Sequence, residues 1–160
     1  MSATGILRNP GEGERRWFFG GGTHTWKVTA EQSDGALFLF EDEMTQGKMT
    51  PWHCHPHTDE VVYVIEGEIL INIDGEERHL TAGGVSMAPR GVPHAFTVIS
   101  ERVRLLAFQT PGTSQTFYWD GSVPAQTDGD GPVDFAALAA LAQSSGVTTL
   151  MGPPPFVSSV

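Results

Sequence analysis

Between Trp17 and Phe108 the apolar positions come in short β-branched and aromatic runs, at residues 25–30, 36–43, 61–66, 68–74, 95–99 and 102–109. Turn-forming residues cut them apart, so they predict antiparallel strands rather than helices. Asp74-Gly75, between Ile73 and Glu76, is a hairpin signal, because this pair tolerates the positive φ that the tightest turns need. Gly67 and the Gly83-Gly84 pair mark further sharp turns or bulges. Residues 61–65 and 69–73 carry apolar side chains on both faces, unlike a strand with one wet face. The interior of a closed double-layer β structure covers one face, and a second sheet, the C-terminal helix or a second copy of the chain covers the other. A homodimer is therefore expected. Helical periodicity falls at residues 133–143, where Phe135, Leu138, Leu141 and Ala142 share a face and Gly146 suits the C-terminal end.

These elements divide the chain. Residues 1–16 mix Gly, Pro and charge and read as a loose arm or an oligomer contact; 17–119 form a β barrel; 120–132 form a linker; 133–160 hold the helix and a tail stiffened by Pro153, Pro154 and Pro155. Asp128 and Asp130 lack the spaced acidic partners and closing Glu of a calcium loop, so a solvated turn is expected there. The fold class is all-β, with one core, as 160 residues allow.

Composition narrows the partners. Nineteen acidic against nine basic side chains give a net charge of −10, which repels phosphate backbones and anionic headgroups, so neither nucleic acid nor membrane is an expected partner. No apolar run approaches the roughly 20 residues needed to cross a bilayer. The single cysteine, Cys54, cannot form an internal disulfide, and no export signal is visible, so a cytoplasmic location is expected.

The chemistry lies in two spaced motifs. Gly47, His53, His55, Glu60 and Gly67 form G-x5-H-x-H-x4-E-x6-G, and Gly83, Pro89, Gly91 and His94 form G-x5-P-x-G-x2-H. Side chains two apart on a strand point the same way, so His53 and His55 share a face. Glu60 is five residues beyond His55 and reaches that side only if the chain turns, which Pro56 and Thr58-Asp59 permit. His94 arrives on a third strand after the Pro89-Arg90-Gly91 turn. Three imidazoles and a carboxylate aimed into an apolar barrel are costly unless they share a metal. His53, His55, Glu60 and His94 are thus the expected ligands of one divalent transition metal ion, and the donor set admits Mn, Fe, Co, Ni, Cu or Zn. Four protein donors leave open positions for substrate. His57 is expected behind the ligands or at the pocket rim; Val62 and Phe96 share the inward faces of Glu60 and His94 and are candidate pocket wall. Cys54 should point away from the ligands and serve packing. His24 and His79 lack partners at ligand spacing and are expected at surface or loop positions.

Both motifs resemble those of the cupin superfamily, whose fold is a double-stranded β-helix, or jelly-roll barrel. The resemblance implies metal ligation at the positions of His53, His55, Glu60 and His94. The second motif departs in one place, with Val98 where asparagine is frequent. More narrowly, Trp17-Phe18-Phe19-Gly20-Gly21, residues 52–67, Pro89-Arg90-Gly91-Val92-Pro93-His94-Ala95-Phe96 and the tail ending Gly152-Pro153-Pro154-Pro155 look like the single-domain bacterial quercetin 2,3-dioxygenase-like cupins. That likeness implies a flavonol or related aromatic enol as substrate, dioxygen as co-substrate, ring cleavage, and a catalytic role for Glu60 as acceptor of the substrate hydroxyl proton. The alternatives are an oxygen-independent metal-dependent enzyme (isomerase, decarboxylase or lyase) and a non-enzymatic small-molecule-binding cupin.

Overall fold

A computed structural model describes residues 4–125 and 131–157; Asp128 and Asp130 lie outside them. The elements run β1 (Glu14–Phe18), β2 (Thr23–Val28), β3 (Phe38–Thr45), β4 (Trp52–Cys54), β5 (Asp59–Glu66), β6 (Glu68–Ile73), β7 (Glu76–Thr81), β8 (Val85–Ala88), β9 (His94–Val98), β10 (Arg102–Thr110), α1 (Gln115–Asp120), β11 (Ser122–Pro124), α2 (Phe135–Ser145) and β12 (Thr149–Gly152). All pairings are antiparallel and fall in two sheets, ordered β11-β1-β2-β3-β10-β5-β8 and β12-β4-β9-β6-β7. This is the jelly-roll architecture expected, with the inner faces of the two sheets forming the interior.

Strand alternation decides what faces inward. On β3, Phe38, Phe40, Asp42 and Met44 are buried and the residues between them are less so. All five residues of β9 are buried. The β6–β7 hairpin turns at Asp74 (φ 52°) and Gly75 (φ 90°), as the Asp-Gly pair requires. Gly67, at φ 89°, turns β5 into β6 where a Cβ would lie 2.4 Å from the Arg102 carbonyl oxygen, so only glycine passes.

Several expectations change. Residues 14–16 of the expected arm open β1, which pairs with β2 and β11; Glu14 and Arg15 stay exposed, while the Arg16 side chain is largely covered and donates to Ser122 Oγ and its carbonyl oxygen. The expected linker contains β11, and the tail contributes β12, which pairs Leu150 with His53 of β4. The helix begins at Phe135, since the Asp134 carboxylate accepts from the Ala137 amide at 2.9 Å as an N-cap, and it ends at Gly146 (φ 68°). Leu138 and Ala142 bury, whereas Phe135 is exposed. On the outer face of β5 and β8, Tyr63, Val85 and Met87 are 42%, 59% and 52% exposed in the single chain.

Candidate metal centre

The two sheets bring the four candidate ligands together. His53 on β4 is directly opposite His94 on β9, and His55 follows one residue after β4. Glu60 comes from β5 in the facing sheet. One ligand atom from each of the four lies within 4.8 Å of the others. The Pro89-Arg90-Gly91 turn that delivers His94 is tied to this point twice. The Gly91 amide donates to the His55 carbonyl at 2.8 Å, and Arg90 donates to the Asp59 carboxylate from its backbone amide, Nε and Nη2 at 2.9, 3.2 and 2.9 Å.

The outer nitrogens of the three rings are occupied. His53 Nδ1 is 2.7 Å from the Pro51 carbonyl oxygen, His94 Nδ1 is 3.0 Å from that of Val92, and His55 Nδ1 is 3.2 Å from Thr148 Oγ1. With the proton held on Nδ1, the Nε2 lone pair is free for a metal, which is how ligating histidines are oriented. His94 Nε2 is buried with no hydrogen-bond partner, although it lies 3.2 Å from Glu60 Oε1. A divalent cation satisfies an unused buried acceptor set among three imidazoles and a carboxylate, so the residues fit the ion that they predict.

Electrostatics agree at His53 and Glu60. Burial, reinforced by His94 and His55, pushes His53 down to about 3, so the ring is neutral, the form that ligates. Burial opposes charge on Glu60, but the His55 and His94 rings outweigh it and hold the carboxyl well below the usual range. The same contest raises His94, where the Glu60 carboxylate outweighs burial.

A polar network fixes Glu60 from behind. Gln109 lies directly opposite it across the β5–β10 pair. Gln109 Oε1 accepts from Thr58 Oγ1 at 2.9 Å and from Ser114 Oγ, so its amide nitrogen must face the site. That nitrogen lies 2.5 Å from Glu60 Oε2, 2.7 Å from Tyr118 Oη and 3.2 Å from His55 Nε2, and its two hydrogens can serve two of these at once. Tyr118 Oη donates to Glu60 Oε2 at 3.2 Å, and burial together with the Glu60 charge raises the phenol well above its usual range, so it stays a donor.

The site opens on a largely apolar cavity, the lining usual for small-molecule sites. Val62 and Phe96 line it, as do Phe18, Phe40, Phe117 and Leu138. His57 does not; the turn through Pro56 leaves it exposed. Cys54 is buried and unpaired. His79 is exposed beside Glu68. His24 is the larger correction: it is fully buried on β2 and lines the cavity, because β2 begins at Thr23 and alternation turns His24 and Trp26 inward together. Gln109, Tyr118, Thr148 and Asp42 went unrecognised. Only Asp42 carried a signal, a carboxylate in phase with Phe38, Phe40 and Met44.

The family model for the Cupin domain matches residues 40–108, which contain all four candidate ligands. The chain is also 33% identical over 115 residues to quercetin 2,3-dioxygenase of Bacillus subtilis (strain 168), a match covering 71% of this chain and 33% of that protein. The chain is a member of the cupin superfamily. This cupin is 29% identical over 75 residues to the tetracenomycin polyketide synthase protein TcmJ of Streptomyces glaucescens, over 47% of the chain and 50% of that protein. It thus spans a third to a half of the length of these relatives. Its fold superposes on an RmlC-like cupin from Shewanella frigidimarina with a TM-score of 0.59 at 23% identity, covering 69% of this chain and 95% of that one. No helix among the described residues is long and apolar enough to cross a membrane.

Proposed function

We propose that this cupin is a metal-dependent dioxygenase acting on a flavonol or a related aromatic enol. The carrying observation is the Glu60 carboxylate: Oε1 faces the unpartnered His94 Nε2, and Oε2 is held by Gln109 and Tyr118 at the wall of an apolar, aromatic-lined cavity. The likeness to a quercetin 2,3-dioxygenase supports the substrate class. His53, His55, Glu60 and His94 would hold the ion, which when bound supplies Lewis acidity toward the enol oxygen and, if redox-active, a path for electrons to dioxygen. Phe18, Phe40 and Phe117 stack and enclose the rings, excluding water. Glu60 takes the enol proton. Gln109 and Tyr118 keep the carboxylate within reach of it and, by donating to Oε2, stabilise the ionised form that must act as base.

Elemental mass spectrometry of the purified protein, followed by oxygen uptake with a flavonol panel on forms reconstituted with each candidate metal, tests this reading. Flavonol-dependent uptake is expected from a redox-active form, and Glu60→Gln should lower it by about 10²–10⁴-fold with the fold intact. Uptake retained by that variant overturns Glu60 as the base; uptake by no reconstituted form overturns the dioxygenase reading and favours oxygen-independent chemistry. The expected homodimer belongs to the same proposal. The apolar outer face of β5 and β8 offers it a self-complementary surface, with Tyr63 opposite Val85 and Val61 opposite Met87. Light scattering should give twice the mass of one chain, and Tyr63→Glu should halve it; a single-chain mass for the unaltered protein overturns the dimer.

A further inference from the structure

Each ring of the metal centre is steadied through its outer nitrogen, but the three partners differ in kind and in place. His53 and His94 bond to the carbonyls of Pro51 and Val92, each two residues back in the chain and within the span that the Cupin model matches. The partner of His55 is the Thr148 hydroxyl at 3.2 Å, 93 residues onward and outside that span.

His55 also has the least support from its own strand. It follows β4 by one residue, beyond the ladder in which His53 stands opposite His94. The Gly91 amide ties its backbone carbonyl at 2.8 Å, and a backbone bond does not set the torsions of the side chain. Thr148 reaches the ring because β12 runs beside β4. Thr149 pairs with Cys54 and Leu150 with His53, which brings the residue before them against His55. Gly146, in the left-handed conformation, ends α2 and lets the chain turn toward this strand.

The Thr148 side chain is 2% exposed and lies on the cavity wall with Leu138 and Leu150. Valine has nearly the same shape and would pack there with no polar atom to satisfy, whereas an unbonded buried hydroxyl costs about 1–3 kcal/mol. Among the described residues the hydroxyl bonds to His55 Nδ1.

We infer that Thr148 is a positioning residue of the metal centre: its hydroxyl accepts the Nδ1 proton of His55 and so aims Nε2 at the ion. The outer partner of a ligating histidine fixes both the tautomer and the angle of the ring. The strand β12 is thereby a working part of the site, supplying from the C-terminal segment the support that Pro51 and Val92 supply within the matched residues. This rests on the metal-centre reading and is independent of the dioxygenase reading.

The test is zinc affinity of the full chain, measured by competition with a chelator, for the unaltered protein and for Thr148→Val, Thr148→Ala and Thr148→Ser. The melting temperature of each metal-stripped form checks the fold. Val and Ala remove the acceptor, one keeping the shape of the side chain and the other not, and both should weaken zinc binding by about 10–100-fold. Ser keeps the hydroxyl and should bind within about threefold of the unaltered protein. Unchanged affinity in the Val variant overturns the inference and leaves the metal centre standing. An equal loss in the Ser and Val variants also overturns it, because packing at position 148 would then be what matters. Failure of the unaltered protein to bind zinc overturns the metal-centre reading and the inference with it.

Discussion

The two halves of the interior are made of different materials. One is aliphatic: Met44, Val62, Val64, Ile69, Ile71, Val98, Val103 and Leu105 pack with Phe96 between the β5–β10 and β6–β9 pairs. The other is aromatic, built from Phe18, Trp26, Phe38, Phe40, Phe117 and Tyr118 and closed by Leu138 and Ala142 of α2. The second half also buries His24, Asp42, Thr58, Gln109 and Ser114. Every described buried side-chain atom without a partner belongs to His24, Trp26, Asp42, His94 or Ser145, and none of these residues is in the aliphatic cluster. Local rules are obeyed where the barrel only has to fold. Three of the five, His24, Asp42 and His94, belong to the cavity wall or the candidate metal cluster, where such exceptions are expected; Trp26 and Ser145 do not.

The largest effect that tests this contrast is in the aliphatic half. Ile69 is fully buried, so Ile69→Ala should remove about 2–5 kcal/mol of stability, the transfer of the lost methyl groups plus the cavity left behind. Metal bound per folded chain should not change, because none of the four candidate ligands belongs to that cluster. Urea denaturation with metal analysis of the folded fraction reads both quantities. A cost under about 1 kcal/mol, or a folded protein that has lost its metal, breaks the division of labour between the halves.

The same division explains what could be read from the chain. The clustering of His53, His55, Glu60 and His94 was legible because strand geometry ties residue spacing to direction: His53 and His55 share a face, and the turn at Pro56 brings Glu60 back. The aliphatic strands were legible from their β-branched runs. Gln109 was not, because its value lies in standing opposite Glu60 across a pair whose register no local pattern states. Tyr118 sits on a six-residue helix, too short for periodicity to show. β12 pairs with β4 across almost a hundred residues of chain, and the weak alternation of Thr149–Gly152 resembled a tail. His24 was misplaced because it was judged by ligand spacing, when its phase with Trp26 was the informative feature.

The smallest expected effect sharpens the contrast from the edge of the site. Arg90 holds Asp59 by hydrogen bonds to its side chain and backbone amide, lowering the carboxyl from 3.8 to about 2. A carboxyl lowered by folding stabilises the fold above its ordinary pKa, and that contribution is lost as pH falls from about 4 to about 2. Asp59 is partly exposed and its partner Arg90 is exposed, so screening keeps the effect small. Asp59→Asn cannot ionise, and its melting temperature should therefore fall less than that of the unaltered protein between about pH 5 and pH 2. The difference isolates Asp59 from Glu60 and His53, which titrate in both proteins. Parallel melting curves across that range would show that the clasp between β5 and the turn before His94 contributes no stability, and that the ligands are held by their sheets alone.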